Sequence, residues 1–144
     1  MTSHTIPTAA TTLAVASGGA AGAAIRYQIW CWWPDGDSDF PFTTLAINLV
    51  GCFLCGVFAG GIPNLRECEN STVRQSLTFG VLGGFTTLSF VAVQGITLTD
   101  PRLGLLYLAV TSLLVVPVVW AGRAIGILVC AAVRANGRHA RAHT

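Results

Sequence analysis

The stretch Gly80-Val-Leu-Gly-Gly-Phe-Thr-Thr-Leu-Ser89 (GVLGGFTTLS) lies inside a run, Gln75 to Thr99, that holds no charged residue. A helix that crosses a membrane is most regular at its centre, yet this centre carries paired glycines and paired threonines. Glycine costs roughly 1 kcal/mol relative to alanine in a helix interior. Two readings of the stretch stand. Either the glycines let another helix approach closely, or Gly83-Gly84 and Thr86-Thr87 interrupt the helix at mid-span. In the second case the freed carbonyls cannot stay bare in hydrocarbon, and a buried cation would satisfy them, as at other half-helix ends near a membrane midplane.

Composition supports a membrane setting. The chain has 144 residues, 53% hydrophobic and only 10% charged, with mean hydropathy +0.66, against roughly 25% charged residues in a soluble domain. On both sides of this stretch charge-poor runs recur. Ala9 to Trp30 contains one charge, Arg26, whereas Phe42 to Ile62, Gln75 to Thr99 and Leu103 to Gly122 contain none. Each is close to the ~20 residues a helix needs to cross about 30 Å of hydrocarbon. The expected fold is an all-α integral membrane protein. It is a single four-helix domain over residues 1–144, with spans at about 9–30, 42–62, 75–99 and 103–122 and a basic tail, 123–144, frayed beyond Arg134. The first run is not read as a signal peptide, because it lacks a basic leader and its apolar stretch runs into an arginine.

The connections are short. The first, CWWPDGDSDFP, holds Asp35, Asp37 and Asp39 beside Trp30, Trp32 and Trp33, which read as an interfacial aromatic belt. The second is PNLRECENSTVR and the third only Asp100-Pro-Arg102. All eight basic residues are arginines. Four spans place both termini and the second connection on one side, with Arg66, Arg74, Arg123, Arg134, Arg138 and Arg141, and leave Arg102 and Arg26 toward the other. The positive-inside bias then puts both termini in the cytoplasm of a bacterial cell.

Several chemistries find no support. Cys52 and Cys55 form a C-x-x-C within a span, with no second pair at metal spacing, and read as small packing residues. The histidines, His4, His139 and His143, lie at the termini, and every acidic residue lies in a connection. No intramembrane carboxylate is available to relay protons. That argues against a proton-coupled pump and an intramembrane hydrolase. The chain is read as a non-enzyme, and nothing in it points to nucleic acid.

The polar residues within the spans therefore carry the information. Arg26, after GGAAGAAI, either snorkels to the interface or sets a fixed positive charge at the mouth of an anion path. Asn48, in FPFTTLAINLVG, sits in the middle third of the second span. Its amide either links helices or donates to an anion. Thr43, Thr44, Thr86, Thr87, Ser89 and Thr111 add hydroxyls, neutral donors that replace water around a small ion without holding it too tightly. Gly18 and Gly22, and again Gly56 and Gly60, show the G-x-x-x-G spacing of close helix approach.

GGAAGAAIRY, FPFTTLAINLVGCFLCG and GVLGGFTTLS occur in this order on three of the four spans. Together they resemble the small fluoride channel family, the Fluc-type exporters, over about residues 15 to 120. The resemblance implies an antiparallel dimer of four-helix subunits, a broken third helix and two pores at the subunit boundary. It also implies a central structural sodium ion held by backbone carbonyls at the break. By motif position, Gly83 and Thr86 match the carbonyl donors to sodium. Arg26, Asn48 and Ser89 match the arginine of the first helix, the pore asparagine and the pore serine. Tyr107 and Thr111 match the polar track of the fourth helix, and Thr87 adds a hydroxyl beside the break. The chain departs from the pattern as well. Where the family has Phe-Ser-Thr-Phe, this sequence reads Leu88-Ser89-Phe90-Val91, so both ring positions are aliphatic. An acidic position downstream is Gln94, and the glycine expected before Thr44 is Thr43.

The expected function is a fluoride channel subunit that passes fluoride passively out of the cytoplasm, in contact with membrane lipid and a second subunit of the same family. Two alternatives accompany it: a non-conducting or half-active subunit of a heterodimer, and a small multidrug exporter, whose usual first-helix glutamate is missing here. The arginine bias favours a heterodimer over a homodimer, because a self-paired antiparallel dimer needs one sequence to insert both ways.

Overall fold

The computed structural model describes residues 8–36, 40–61 and 72–142, with no side-chain description for residues 73, 74 and 136–142. Asp37, Asp39 and most of the second connection, with Arg66, lie outside these residues. The described chain is helical. α1 spans Ala9–Trp32 and α2 spans Phe42–Gly61. A third helical pass begins with α3, Thr72–Gln75, widens into a π-helical stretch, Ser76–Val81, and closes as α4, Leu82–Phe85. After two extended residues it resumes as α5, Leu88–Thr97. α6 runs from Pro101 to Ala142.

Among the described residues three helical segments are long and apolar enough to cross a membrane: Phe42–Gly61, Ser76–Thr97 and Pro101–Ala135. α1 has the length, at 24 residues, but Arg26 and its many Ala, Gly, Ser and Thr residues keep its hydropathy lower. Three of the four expected spans are thus supported by length and composition. The surface reverses that of a soluble protein. Phe79, Leu88, Ile96, Leu113 and Trp120 stand exposed, whereas few large apolar side chains are buried. Such an apolar exterior suits lipid or a second subunit.

The tail departs from expectation. α6 does not stop near Gly122, the expected end of the fourth span; its helix continues to Ala142 and reaches 42 residues, about 63 Å at 1.5 Å per residue. Ala124–Val133 is uncharged and nearly all aliphatic, so the apolar run resumes beyond Arg123. This stretch also stays against α2, where a Cβ on Gly61 or Gly126 would strike backbone of the other helix.

Glycines set the packing on both sides. α1 lies on the π-helical stretch and α4. A Cβ on Gly18 would come within 2.7 Å of the Ser76 carbonyl, and one on Gly22 would overlap the Val81 carbonyl. Ser76 Oγ donates to the Ala14 carbonyl at 2.6 Å across this contact. α2 packs chiefly on α6, with Gly56 against Val119 and Gly60 against Arg123. α5 also packs on α6. The interruption of the third pass therefore sends its two halves to different partners: the first half to α1, the second to α6. A small apolar core of Leu45, Val91 and Tyr107, flanked by Phe40, Leu49, Leu108 and Val110, sits where α2, α5 and α6 meet.

Candidate functional site

The break falls at Thr86 and Thr87, as the paired residues suggest. Thr86 (φ −81°, ψ 152°) and Thr87 (φ −149°, ψ 103°) are both extended. α4 ends with the Thr86 amide donating to the Leu82 carbonyl at 3.0 Å, and the Thr86 hydroxyl donates to the same oxygen at 3.0 Å. α5 starts with Thr87 as its cap, Oγ1 accepting from the Phe90 amide at 3.2 Å. Threonine serves both ends because its short hydroxyl reaches nearby backbone.

Asn48 is buried, 6% exposed, beside the break. Its Nδ2 donates to the Thr44 carbonyl one turn back at 2.9 Å. Its Oδ1 accepts from the Thr87 amide at 2.7 Å. The side chain thus bridges α2 to the broken pass, and among the described residues only one of its two N–H groups is engaged. The helix-linking role and a remaining donor coexist in one amide.

The other sequence-derived residues fall into two groups. Arg26 and Thr87 line one cavity of about 300 Å³, with Tyr27, Trp30, Thr44, Ile47 and Phe90. Arg26 Nε and Trp30 Nε1 are both buried with no hydrogen-bond partner among the described residues. They lie four residues apart on α1, hence on one face. Arg26 thus puts one positive charge on the wall of a largely apolar hollow, an arrangement suited to an anion. Trp30 was expected only as part of an interfacial belt; Trp32 and Trp33, both exposed, retain that character. Phe90 lines this cavity although it stands off the expected ring register.

Tyr107 and Thr111 form the second group, inside the protomer. Tyr107 is fully buried, its ring meeting Phe40 edge-on at 5.5 Å. Its hydroxyl donates to Gln94 Oε1 at 3.3 Å, and Thr111 Oγ1 donates to the Tyr107 carbonyl at 2.7 Å. Ser89 is exposed, with its hydroxyl 3.4 Å from that of Thr87. Leu88 is 79% exposed and Val91 only 2%, so the two aliphatic ring positions point to opposite environments.

Asp35 is the residue that sequence reading missed. Pro41, which precedes α2, has no side-chain acceptor for the helix's first amides. Asp35 supplies it from the connection: Oδ1 accepts from the Thr43 amide at 2.9 Å, and Oδ2 from the Thr44 amide at 3.2 Å and the Thr44 hydroxyl at 2.8 Å. The carboxylate also complements the positive end of the helix dipole. Oδ2 further accepts from Gln94 Nε2 at 3.3 Å. The only sequence signal was an aspartate shortly before a Pro-Phe-Thr-Thr helix start.

Among the described residues no cluster of His, Cys, Asp and Glu could hold a metal. Cys52 and Cys55 are free thiols.

Long apolar helices, one pass broken over a buried amide, and an arginine-lined cavity beside the break define a multi-pass helical membrane protein built around a polar interior. The chain belongs to the family described as CrcB-like protein, Camphor Resistance (CrcB), whose family model matches residues 13–123. It is 47% identical over 109 residues to fluoride-specific ion channel FluC 1 of Streptomyces coelicolor, covering 74% of this chain and 70% of that relative. It is 42% identical over 95 residues to a fluoride-specific ion channel FluC of Erythrobacter litoralis, covering 62% and 70%. With the FluC of Agrobacterium fabrum it shares 38% identity over 116 residues, covering 78% and 92%.

Proposed function

We propose that this chain is a subunit of a fluoride-selective channel that lets fluoride leave the cytoplasm passively. The observation that carries the reading is the break beside Asn48, in a chain whose relatives are named fluoride-specific ion channels. Fluoride is small and strongly hydrated, so a path for it must offer donors in place of water. Among the described residues Asn48 has an uncommitted N–H, and Ser89 and Thr87 add hydroxyls next to it. Arg26, with Trp30, raises the local anion concentration at the cavity. Tyr107 and Thr111 serve the path only when their hydroxyls exchange the acceptors they now hold.

The Gly83 and Thr86 carbonyls hold a structural sodium ion in this reading. Gly83 is open: a Cβ there would meet nothing within 4 Å. The ion supplies positive charge that satisfies carbonyls no helix covers. Two subunits pair antiparallel in the plasma membrane, with the termini of this one in the cytoplasm. The aliphatic Leu88 and Val91 and the six-to-two arginine bias favour a partner with a different sequence.

The test is fluoride efflux from liposomes holding this chain alone and with candidate partner chains. The expected result is fluoride efflux at least about a hundredfold faster than chloride, because the path has neutral donors and no ring of lysines or arginines. Equal fluoride and chloride rates in every combination would defeat the reading.

A further inference from the structure

We infer that Asn48 and Thr87 are positioning residues for the cation site, which they open by drawing away the two amides that would otherwise cover it. The inference rests on the reading above that sodium sits at the break. In an uninterrupted helix each carbonyl accepts from the amide four residues on. The partner of the Gly83 carbonyl is then the Thr87 amide, and that of the Thr86 carbonyl is the Phe90 amide. Here the Thr87 amide donates to Asn48 Oδ1 at 2.7 Å, and the Phe90 amide donates to Thr87 Oγ1 at 3.2 Å. Thr86, at ψ 152°, turns the chain so that the Thr87 amide leaves the axis of α4.

The neighbouring carbonyl shows the contrast. Leu82 keeps its helical amide and gains the Thr86 hydroxyl as a second donor. The chain thus saturates Leu82 while its side chains divert the helical donors of Gly83 and Thr86. A bare carbonyl in a low-dielectric interior is costly, so a diversion of this kind is stable when a cation takes the amide's place. Asn48 then acts at both ends of its amide. The oxygen shapes the cation site, and the nitrogen carries the donor left for the anion path.

The experiment measures sodium binding to the purified full-length chain without fluoride. The readout is the shift of the thermal unfolding midpoint as sodium chloride is titrated, with potassium chloride and N-methylglucamine chloride as controls. The wild type should show a sodium-specific rise. Thr87→Ser keeps the capping oxygen and should keep the wild-type sodium midpoint. Thr87→Val is similar in size but lacks the acceptor, and should need roughly tenfold more sodium, as expected when a buried acceptor for an amide is lost. Asn48→Asp keeps an oxygen for the Thr87 amide and should retain the sodium response, whereas Asn48→Leu should lose it. Wild-type sodium midpoints in Thr87→Val and Asn48→Leu, with helix content unchanged by circular dichroism, would overturn the inference and leave the sodium site standing. If Asn48→Leu does not fold, the Thr87→Ser and Thr87→Val pair decides. No sodium-specific rise in the wild type would remove the cation itself, and the inference with it.

Discussion

The Asp35 carboxylate accepts the Thr44 hydroxyl at 2.8 Å while also binding the Thr43 and Thr44 amides. The connection between α1 and α2 is thereby tied to the first turn of α2. Because an ionised carboxylate only accepts, Gln94 must turn Nε2 toward Asp35. Its Oε1 then faces Tyr107, whose hydroxyl must donate to it. One charge thus sets the direction of a chain that joins the connection, α5 and α6. Asp35→Ala should cost about 1–2 kcal/mol from the lost cap alone, and more from Gln94 left without its acceptor. Asp35→Asn should be milder, since one amide oxygen can still accept. Thermal unfolding of the two variants checks this order. Equal midpoints for Asp35→Ala and wild type would show that the cap carries no weight.

Asn48 offers a second discriminating pair. Asn48→Ala removes both the Thr87 link and the free donor. Asn48→Asp keeps an acceptor for Thr87 but replaces the donor with negative charge. Both should lower fluoride flux by roughly tenfold or more, the scale of one hydrogen bond to a charged partner at about 1.5–3 kcal/mol. They differ at the break: Asp keeps an acceptor for the Thr87 amide but sets its second oxygen against the Thr44 carbonyl, whereas Ala makes neither contact. Wild-type flux in both variants would take Asn48 out of the ion path.

Gly83 and Gly84 are adjacent but face different surroundings. A Cβ on Gly84 would overlap the Gly19 carbonyl of α1, whereas one on Gly83 would meet nothing within 4 Å. Gly84→Val should therefore damage the fold of the single chain, visible as lost helix content and aggregation in detergent. Gly83→Val has room within the protomer, so any harm it does must come from what lies beyond, a second subunit or the cation. The expected outcome is a folded chain with wild-type helix content that no longer assembles or responds to sodium. A Gly83→Val chain that still assembles and conducts would empty that space of any role.

The legible part of this molecule was local in sequence. Gly83-Gly84 and Thr86-Thr87 mark the break because their effects on helix continuity act within a turn, and Asn48 stands out because an amide in an apolar run needs partners. The G-x-x-x-G spacing on α1 and α2 likewise appears as close helix contacts. What stayed hidden depends on contacts distant along the chain. Asp35 meets Gln94 across 59 residues, and nothing local marks it off from Asp37 or Asp39. The π-helical stretch at Ser76–Val81 adjoins the glycine face of α1, and no residue in SLTFGV announces it. Trp30 reads as one of three interfacial tryptophans until helical geometry puts it one turn from Arg26 on the cavity wall. The continuation of α6 is hidden because Arg123 reads as the end of a span, although the aliphatic run resumes directly after it.

A self-paired antiparallel dimer requires one sequence to insert in both orientations, which a balanced arginine distribution permits. This chain sets six arginines against two across the expected topology. It also presents leucine and valine where the resemblance places two rings, and rings offer an anion the positive rim of the quadrupole that aliphatic groups lack. Leu88 is exposed, so a ring there would project from the protomer. Val91 is enclosed with Leu45 and Tyr107, where a phenylalanine would overpack the core and cost about 1–3 kcal/mol. A partner with the opposite arginine bias and its own Phe-Ser-Thr-Phe would restore the missing rings from the other side of the boundary. Expression in a fluoride-sensitive bacterium lacking its own exporter tests this, first with the chain alone and then with related chains carrying the rings. Rescue should require both chains, and the two should purify together at one-to-one stoichiometry. Full rescue by this chain alone, with a purified homodimer that conducts fluoride, would show that Leu88 and Val91 suffice and that no second sequence is needed.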